Sequence, residues 1–331
     1  MKAAHPVTLS LSKGGGITGS PRAALAVAVL LVLALGVPLL HNGYYENLAR
    51  GILMFSAMSL GWNLLGGYAG YVSFGNVVYF GIGAYVSAYL ANQGWTNVWV
   101  DVPLGMLVAA LFATVLGIPI LRLQGHYFGI ATLGIALAVQ EIIANTDALG
   151  NGSGLTLTQA AWFSQYYYAM WAVCAYAFAL TWLVATSKFG YALVAIRENE
   201  EAAAVLGIDA TRAKIAAWAL SATMAAGAGG VFAFSNGFID PPTAFGLEDN
   251  VFPIVMALLG GVGTVAGPVV GALILTAINE TLWSHFPQIH TLFFGVAIVL
   301  VVLFLPRGLL FLANLKGGWR GFVRGLPSYR V

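Results

Sequence analysis

The 50 residues between Arg50 and Asp101 contain no Asp, Glu, Lys or Arg, and a second charge-free run of 40 residues extends from Ala148 to Ser187. A crossing helix needs roughly 20 predominantly apolar residues, so each run has room for about two passes through a bilayer. That excludes a protein held by a single anchor. Only 8% of the 331 residues are charged, against about 25% in an ordinary soluble domain, so the chain cannot cover a water-facing surface. A formal net charge of +2, with no basic patch interleaved with aromatics, excludes the electrostatic footprint of a nucleic-acid binder. The single cysteine, Cys174, cannot form an internal disulfide and reads as a small buried or lipid-facing side chain in an apolar run.

The positive residues orient the chain. Lys2, Lys13 and Arg22 stand at its start, Arg307, Lys316, Arg320, Arg324 and Arg330 at its end, and Lys188, Arg197, Arg212 and Lys214 in the longest polar insertion. Positive residues stay on the cytoplasmic side, which puts both termini, the 187–212 segment and Arg122 inside and leaves Arg50 outside. Apolar runs predict crossings near 22–40, 49–66, 74–92, 102–121, 126–145, 167–186, 213–235 and 290–306. This number is even, as two cytoplasmic ends require, and it leaves 251–277 unused. Gly260-Gly261-Val262-Gly263 and Gly267-Pro268 divide that stretch into pieces of about ten residues, roughly 15 Å each as helix, too short for a core of about 30 Å. A broken, re-entrant hairpin is expected there, two complete crossings being the other arrangement that keeps parity. Such backbone survives at membrane depth only where protein or a water-filled path satisfies its polar groups.

The first run is longer than the roughly 7–15-residue core of a cleaved signal and lacks a convincing small-residue cleavage site, so it reads as a retained helix. The expected fold is all-α: a polytopic helical membrane bundle of about 8–10 helices with broken or re-entrant Gly-rich segments. The membrane domain spans 22–309, and the tails at 1–21 and 310–331 are cytoplasmic.

Small residues gather in two places, Gly66, Gly67 and Gly70 with Gly75, Gly81 and Gly83, and Gly260, Gly261, Gly263, Gly267, Pro268 and Gly271. Gly263, Gly267 and Gly271, spaced by four, allow helices to approach backbone to backbone. Two interrupted segments in corresponding parts of two halves also form the pattern of a translocation site in transporters built from repeats. Ser73 and Asn76 follow the first interruption, and Ser235, Asn236 and Asp240 precede the second. They either line an aqueous path or serve as ordinary caps and helix-to-helix hydrogen bonds. Glu141 stands in an otherwise apolar helix, where a charge costs about 2.5–3.5 kcal/mol at mid-bilayer. With Gln140 and Asn145 nearby, it is either a proton or substrate relay or a carboxylate near the external end.

The polar insertion holds Glu198, Glu200 and Glu201, which suit a helix N-terminus, followed by an Ala run and by Gly207 as a terminator. A short helix outside the membrane is predicted. No Gly-Lys dipeptide occurs, so the G-x-x-x-x-G-K-[ST] phosphate loop is absent, as are G-x-S-x-G and H-E-x-x-H. The five histidines show no metal-ligand spacing. If ATP powers this protein, another chain hydrolyses it.

The stretch Leu64-Leu65-Gly66-Gly67-Tyr68-Ala69-Gly70-Tyr71-Val72-Ser73-Phe74-Gly75, continued by Phe80-Gly81-Ile82-Gly83-Ala84-Tyr85, is followed in order by four further motifs. These are Gly125-His126-Tyr127-Phe128 with Ala131-Thr132-Leu133-Gly134, Phe238-Ile239-Asp240-Pro241, the second glycine cluster, and Leu305-Pro306-Arg307-Gly308. Together they resemble the branched-chain amino-acid ABC transporter permeases of the LivM type, over about Tyr44 to Leu309. In such importers the permease offers its ATPases a cytoplasmic coupling helix with an E-A-A-x-x-x-G motif, which Glu201-Ala202-Ala203-Ala204-Val205-Leu206-Gly207 matches. The resemblance makes Glu198, Glu200, Glu201, Ala202, Ala203 and Gly207 the coupling residues. The I-x-L-P continuation is missing, and the relatives' Glu three residues past the glycine equivalent to Gly134 is Leu137 here, with the carboxylate at Glu141 instead.

The resemblance implies a permease subunit of a bacterial inner membrane, without enzymatic activity or a cofactor of its own. It would pair with a LivH-like permease, two cytoplasmic ATPases that hold ATP and Mg, and a periplasmic binding protein. Implied substrates are Leu, Ile and Val, with other amino acids, amides or urea in some branches. The competing reading is a stand-alone secondary transporter or channel with Glu141 or Asp240 as ion site. An intramembrane enzyme has no nucleophile-and-base motif in its favour.

Overall fold

A computed structural model of the chain describes residues 21–94, 97–123, 125–157 and 163–285, together with 295, 296, 299 and 308–310. Apart from those last few, the expected crossing over 290–306 and the two tails lie outside the described residues.

The first expected crossing is split into α1 (Pro21–Ala34) and a 3-10 turn at Val37–Leu40. Pro38 has no N–H to continue the ladder, and His41 closes the turn in the left-handed region at φ 49°. The second expected crossing starts earlier than predicted, as α2 (Gly43–Trp62), because Asn42 caps it by accepting from the Tyr44 N–H. It ends in a six-residue π-helical stretch, Asn63–Tyr68. Then come α3 (Asn76–Asn92), α4 (Val98–Ile120), α5 (His126–Ala144), the two-residue strand β1 (Leu155–Thr156) and α6 (Phe163–Thr186). Further on lie α7 (Lys188–Glu198), α8 (Glu200–Val205), α9 (Ala210–Asn236), β2 (Phe238–Ile239) and α10 (Pro241–Ala244), and last α11 (Leu247–Gly260) and α12 (Gly267–His285). Among the described residues six helical segments are long and apolar enough to cross a membrane. The antiparallel pair β1–β2, with Leu155 opposite Ile239, is a small addition to an otherwise helical chain.

The 251–277 stretch breaks where its glycines predict, but the pieces are longer than ten residues. Helix α11 has 14 and α12 has 19, about 21 and 28 Å at 1.5 Å per residue. They form an antiparallel hairpin: a Cβ on Gly260 would overlap the Gly267 carbonyl, and one on Gly271 the Met256 carbonyl. Gly263 does not extend a helical small-residue stripe with Gly267 and Gly271, since it lies in the break with φ +75°.

The core forms around α9, which packs against α2, α3, α4 and α6. Backbones meet directly there, because a Cβ at Gly83 would overlap the Ala226 carbonyl and one at Gly229 the Phe80 carbonyl. Helix α4 contributes Gly105, Ala109, Ala113 and Gly117, all buried and spaced by four, while Leu107, Leu111, Val115 and Ile118 are exposed on its other face. A small-residue seam toward protein and a leucine-rich face outward is the division expected of a helix at a protein–lipid boundary.

Candidate functional site

The two glycine-rich interruptions, about 200 residues apart in sequence, meet in space. The Asn63 side chain joins them, its Nδ2 donating to the Thr264 carbonyl at 2.9 Å and its Oδ1 accepting from the Gly263 N–H at 2.8 Å. Asn63 is fully buried, and a buried amide without partners is costly, so its two bonds satisfy it and both breaks together. The glycines leave room for this closure: side chains at Gly66, Gly67 and Gly70 would collide with Trp62, Asn63 and Arg197 respectively. At the second break Gly261 has φ +131°, Gly267 would meet the Gly261 carbonyl, and Gly308 lays its backbone on Gly260 and Gly261. Pro268 is the second residue of α12, where a missing N–H costs no helical bond.

The polar insertion forms two helices, not the single one predicted. Asn199, extended at φ −162°, closes α7 and opens α8, its Oδ1 accepting from the Ala202 N–H at 2.9 Å. Glu198 therefore sits at the C-terminal end of α7, where it pairs with Arg197 at 3.0 Å, and only Glu200 and Glu201 occupy a first turn. Gly207 ends α8 as expected: at φ +83° its N–H bonds the Ala204 carbonyl while the Ile208 N–H bonds that of Ala203. Ala203 faces the protein, whereas Glu201 and Ala202 are exposed and Val205 and Leu206 are 88% and 79% exposed.

Glu200 fastens this segment to the membrane helices. Its Oε1 accepts from Lys214 Nζ at 2.7 Å and its Oε2 from the Tyr71 hydroxyl at 2.7 Å, while Lys214 Nζ also donates to the Tyr71 oxygen at 2.9 Å. The ammonium lies 4.6 Å from the centre of the Tyr71 ring, which packs edge-on against Phe128. Partial burial works to raise the Glu200 carboxyl, but the hydrogen bonds from Lys214 and Tyr71 outweigh it and hold the group below its usual range. Burial pushes the Tyr71 hydroxyl up. From the last turn of α7, Arg197 Nη1 donates to the Gly67 carbonyl at 2.8 Å. A cleft of about 960 Å³ opens between these parts, lined by Tyr71, Phe74, His126, Ile130, Arg197 and Glu201 among others.

The remaining candidates are dispersed. Ser73 and Asn76 are buried and engaged: the Ser73 carbonyl accepts from Trp62 Nε1 and its Oγ from the Gly75 N–H, while Asn76 reaches the Met58 carbonyl and Ser221. Ser235 donates within its own helix to the Phe232 carbonyl. Asn236 is exposed at the end of α9, and Asp240 is half-buried before α10 without a side-chain capping bond. Glu141 is exposed near the end of α5, with Asn145 Nδ2 donating to its carbonyl at 2.8 Å and its Oε2 at 3.5 Å.

Sequence reasoning missed Asn63, Tyr71, Lys214 and Asn250. Asn250, also buried, donates to the Phe74 carbonyl and so ties α11 to the loop after the first break. Lys214 had a legible signal, a cation inside the first turns of a long apolar helix, but its partners lie 14 and 143 residues away.

A family model described as branched-chain amino acid transport system / permease component matches residues 44–302. The high-affinity branched-chain amino acid transport system permease proteins LivM of Salmonella typhimurium and Escherichia coli are each 30% identical over 319 residues, covering 86% of this chain and 74% of theirs. The autoinducer 2 import system permease protein LsrC of Yersinia pseudotuberculosis is 30% identical over 199 residues, 54% of this chain and 55% of its own. No solved structure matches.

Proposed function

The chain belongs to the branched-chain amino-acid transport permease family, and on that premise we propose that it is the multi-pass permease subunit of a bacterial inner-membrane ABC importer. It forms part of the path for branched-chain or related amino acids, beside a second permease, and it takes its power from two ATPase subunits that bind ATP and Mg. A periplasmic binding protein delivers the solute. The likeness to LsrC, restricted to about half of each chain, supports leaving selection among solutes to that binding protein.

The observation that carries this reading is the outward face of α8. Glu201 and Val205 on a six-residue helix outside the spans, and Leu206 at its C-cap, are exposed, and this polar-rimmed apolar pair supports a docking face for a partner. ATP binding closes the ATPases, displaces this face and biases the path from one orientation to the other, the differential affinity for two states that alternating access requires. Val205→Asp, Leu206→Asp or Glu201→Lys is expected to strip the ATPases from the purified complex while the permease stays inserted. Leucine uptake into proteoliposomes is expected to require ATP. Uptake that persists without ATPase subunits and collapses with the proton gradient would replace this reading by a stand-alone transporter.

A further inference from the structure

Three segments converge on one hydrogen-bonded cluster: α7, the π-helical end of α2, and the turn between α11 and α12. Arg197 Nη1 donates to Gly67 O at 2.8 Å, and Asn63, four residues before Gly67, holds Gly263 and Thr264 from both ends of its amide. A Cβ on Gly263 would lie 3.3 Å from Arg197 Nη1 and 3.5 Å from Gly67 O, so all three meet at a single place. At the first break the α-helical ladder gives way to the wider i→i+5 bonding of a π-helix over Asn63–Tyr68, and at the second Gly261 and Gly263 have positive φ. Side-chain bonds to both breaks therefore add constraints that no continuous α-helix supplies. A guanidinium bond to a carbonyl is charge-assisted, and its planar fork is not reproduced by an ammonium.

We propose that Arg197 and Asn63 are positioning residues for transport: Arg197 ties the coupling segment to the first break, and Asn63 ties the first break to the second. Displacement of α7 and α8 then moves both breaks as one body. Without the pair, the segment stays clamped to Lys214 and Tyr71 through Glu200, so the ATPases keep their docking face while their motion no longer reaches the hairpin. The proposal rests on the reading of 187–212 as the docking segment.

Two substitutions test it. Arg197→Lys keeps the charge and loses the fork; Asn63→Leu keeps the size and removes both the acceptor for Gly263 and the donor to Thr264. Each is purified as the whole complex with partner permease and ATPases, reconstituted with the binding protein, and assayed with leucine as probe. ATPase co-purification and ATP hydrolysis are expected to persist while leucine carried per ATP falls about tenfold, a typical size for a coupling between sites. Unchanged leucine per ATP in both variants overturns the proposal. So does a parallel loss of ATPase binding, hydrolysis and uptake, the pattern of a purely structural role. Arg197→Gln and Asn63→Gln carry the same readout where a first variant fails to accumulate. Failure of the ATPases to co-purify with the unaltered chain is a separate result that sinks the docking reading itself.

Discussion

At the scale of single residues, Lys214 bears the heaviest burden. It is 2% exposed near the start of a membrane helix and its ammonium serves Glu200 and Tyr71 at once. Lys214→Met is expected to destabilise the purified protein by about 2 kcal/mol, the size of a lost hydrogen bond to a charged group, read from its thermal melt in detergent. The same melt followed against pH tests the carboxylate. Because the folded state holds Glu200 below its unfolded value, its contribution is complete above about pH 4.3 and drains away as the pH falls through the lowered value. In Lys214→Met that acid limb should flatten. Gly207 offers a contrast: nothing lies near its missing side chain, yet its φ is +83°. Gly207→Ala therefore meets no clash and still costs about 1–2 kcal/mol of backbone strain, expected to appear as faster amide exchange in α8.

At the scale of elements, what was legible followed from length, charge and glycine. The breaks after residues 62 and 260 stand where glycines cluster, and each expected crossing that the structure describes is helical, but α1, split off before Pro38, and the 17-residue α3 are not among the six segments long enough to cross, whereas Pro241–Gly260 is. The division of the insertion into α7 and α8 was not legible, since composition favours one helix through Asn199 and only its side-chain cap shows the joint. Nor was the meeting of the two breaks: periodicity assigns a residue to a face but says nothing of which distant segment covers that face, and Asn63 lies in an apolar run without pattern. The hairpin makes a topological prediction. Its turn touches Arg197, so a cysteine replacing Thr264 should react with reagent from the side that carries α7 and α8, and one replacing Glu280 from the opposite side. Labelling of both from one side would contradict the hairpin as described.

Across the whole molecule, stability depends on close approach of backbones around α9, with little bulk to cushion changes. Ala113, fully buried on the α4 seam, and Leu111, 60% exposed beside it, should therefore respond oppositely to the usual expectation for residue size. Ala113→Leu is expected to cost about 1–3 kcal/mol through overpacking, whereas Leu111→Ala faces outward and should leave the melting temperature nearly unchanged. Equal effects would mean that the seam is not the packing surface.

The bond between Asn63 and Thr264 spans 201 residues, and this distance has a consequence for how the protein is made. Synthesis proceeds from the N-terminus at about 5–20 residues per second, so α2 enters the bilayer well before the ribosome has produced the residues that will satisfy its buried amide. Until then Asn63 must borrow hydrogen bonds from water or from the insertion machinery, because lipid offers none. A nascent chain stopped before residue 261 carries that unmet need inside the membrane, which gives quality-control proteases a chemical difference by which to distinguish an unfinished permease from a finished one.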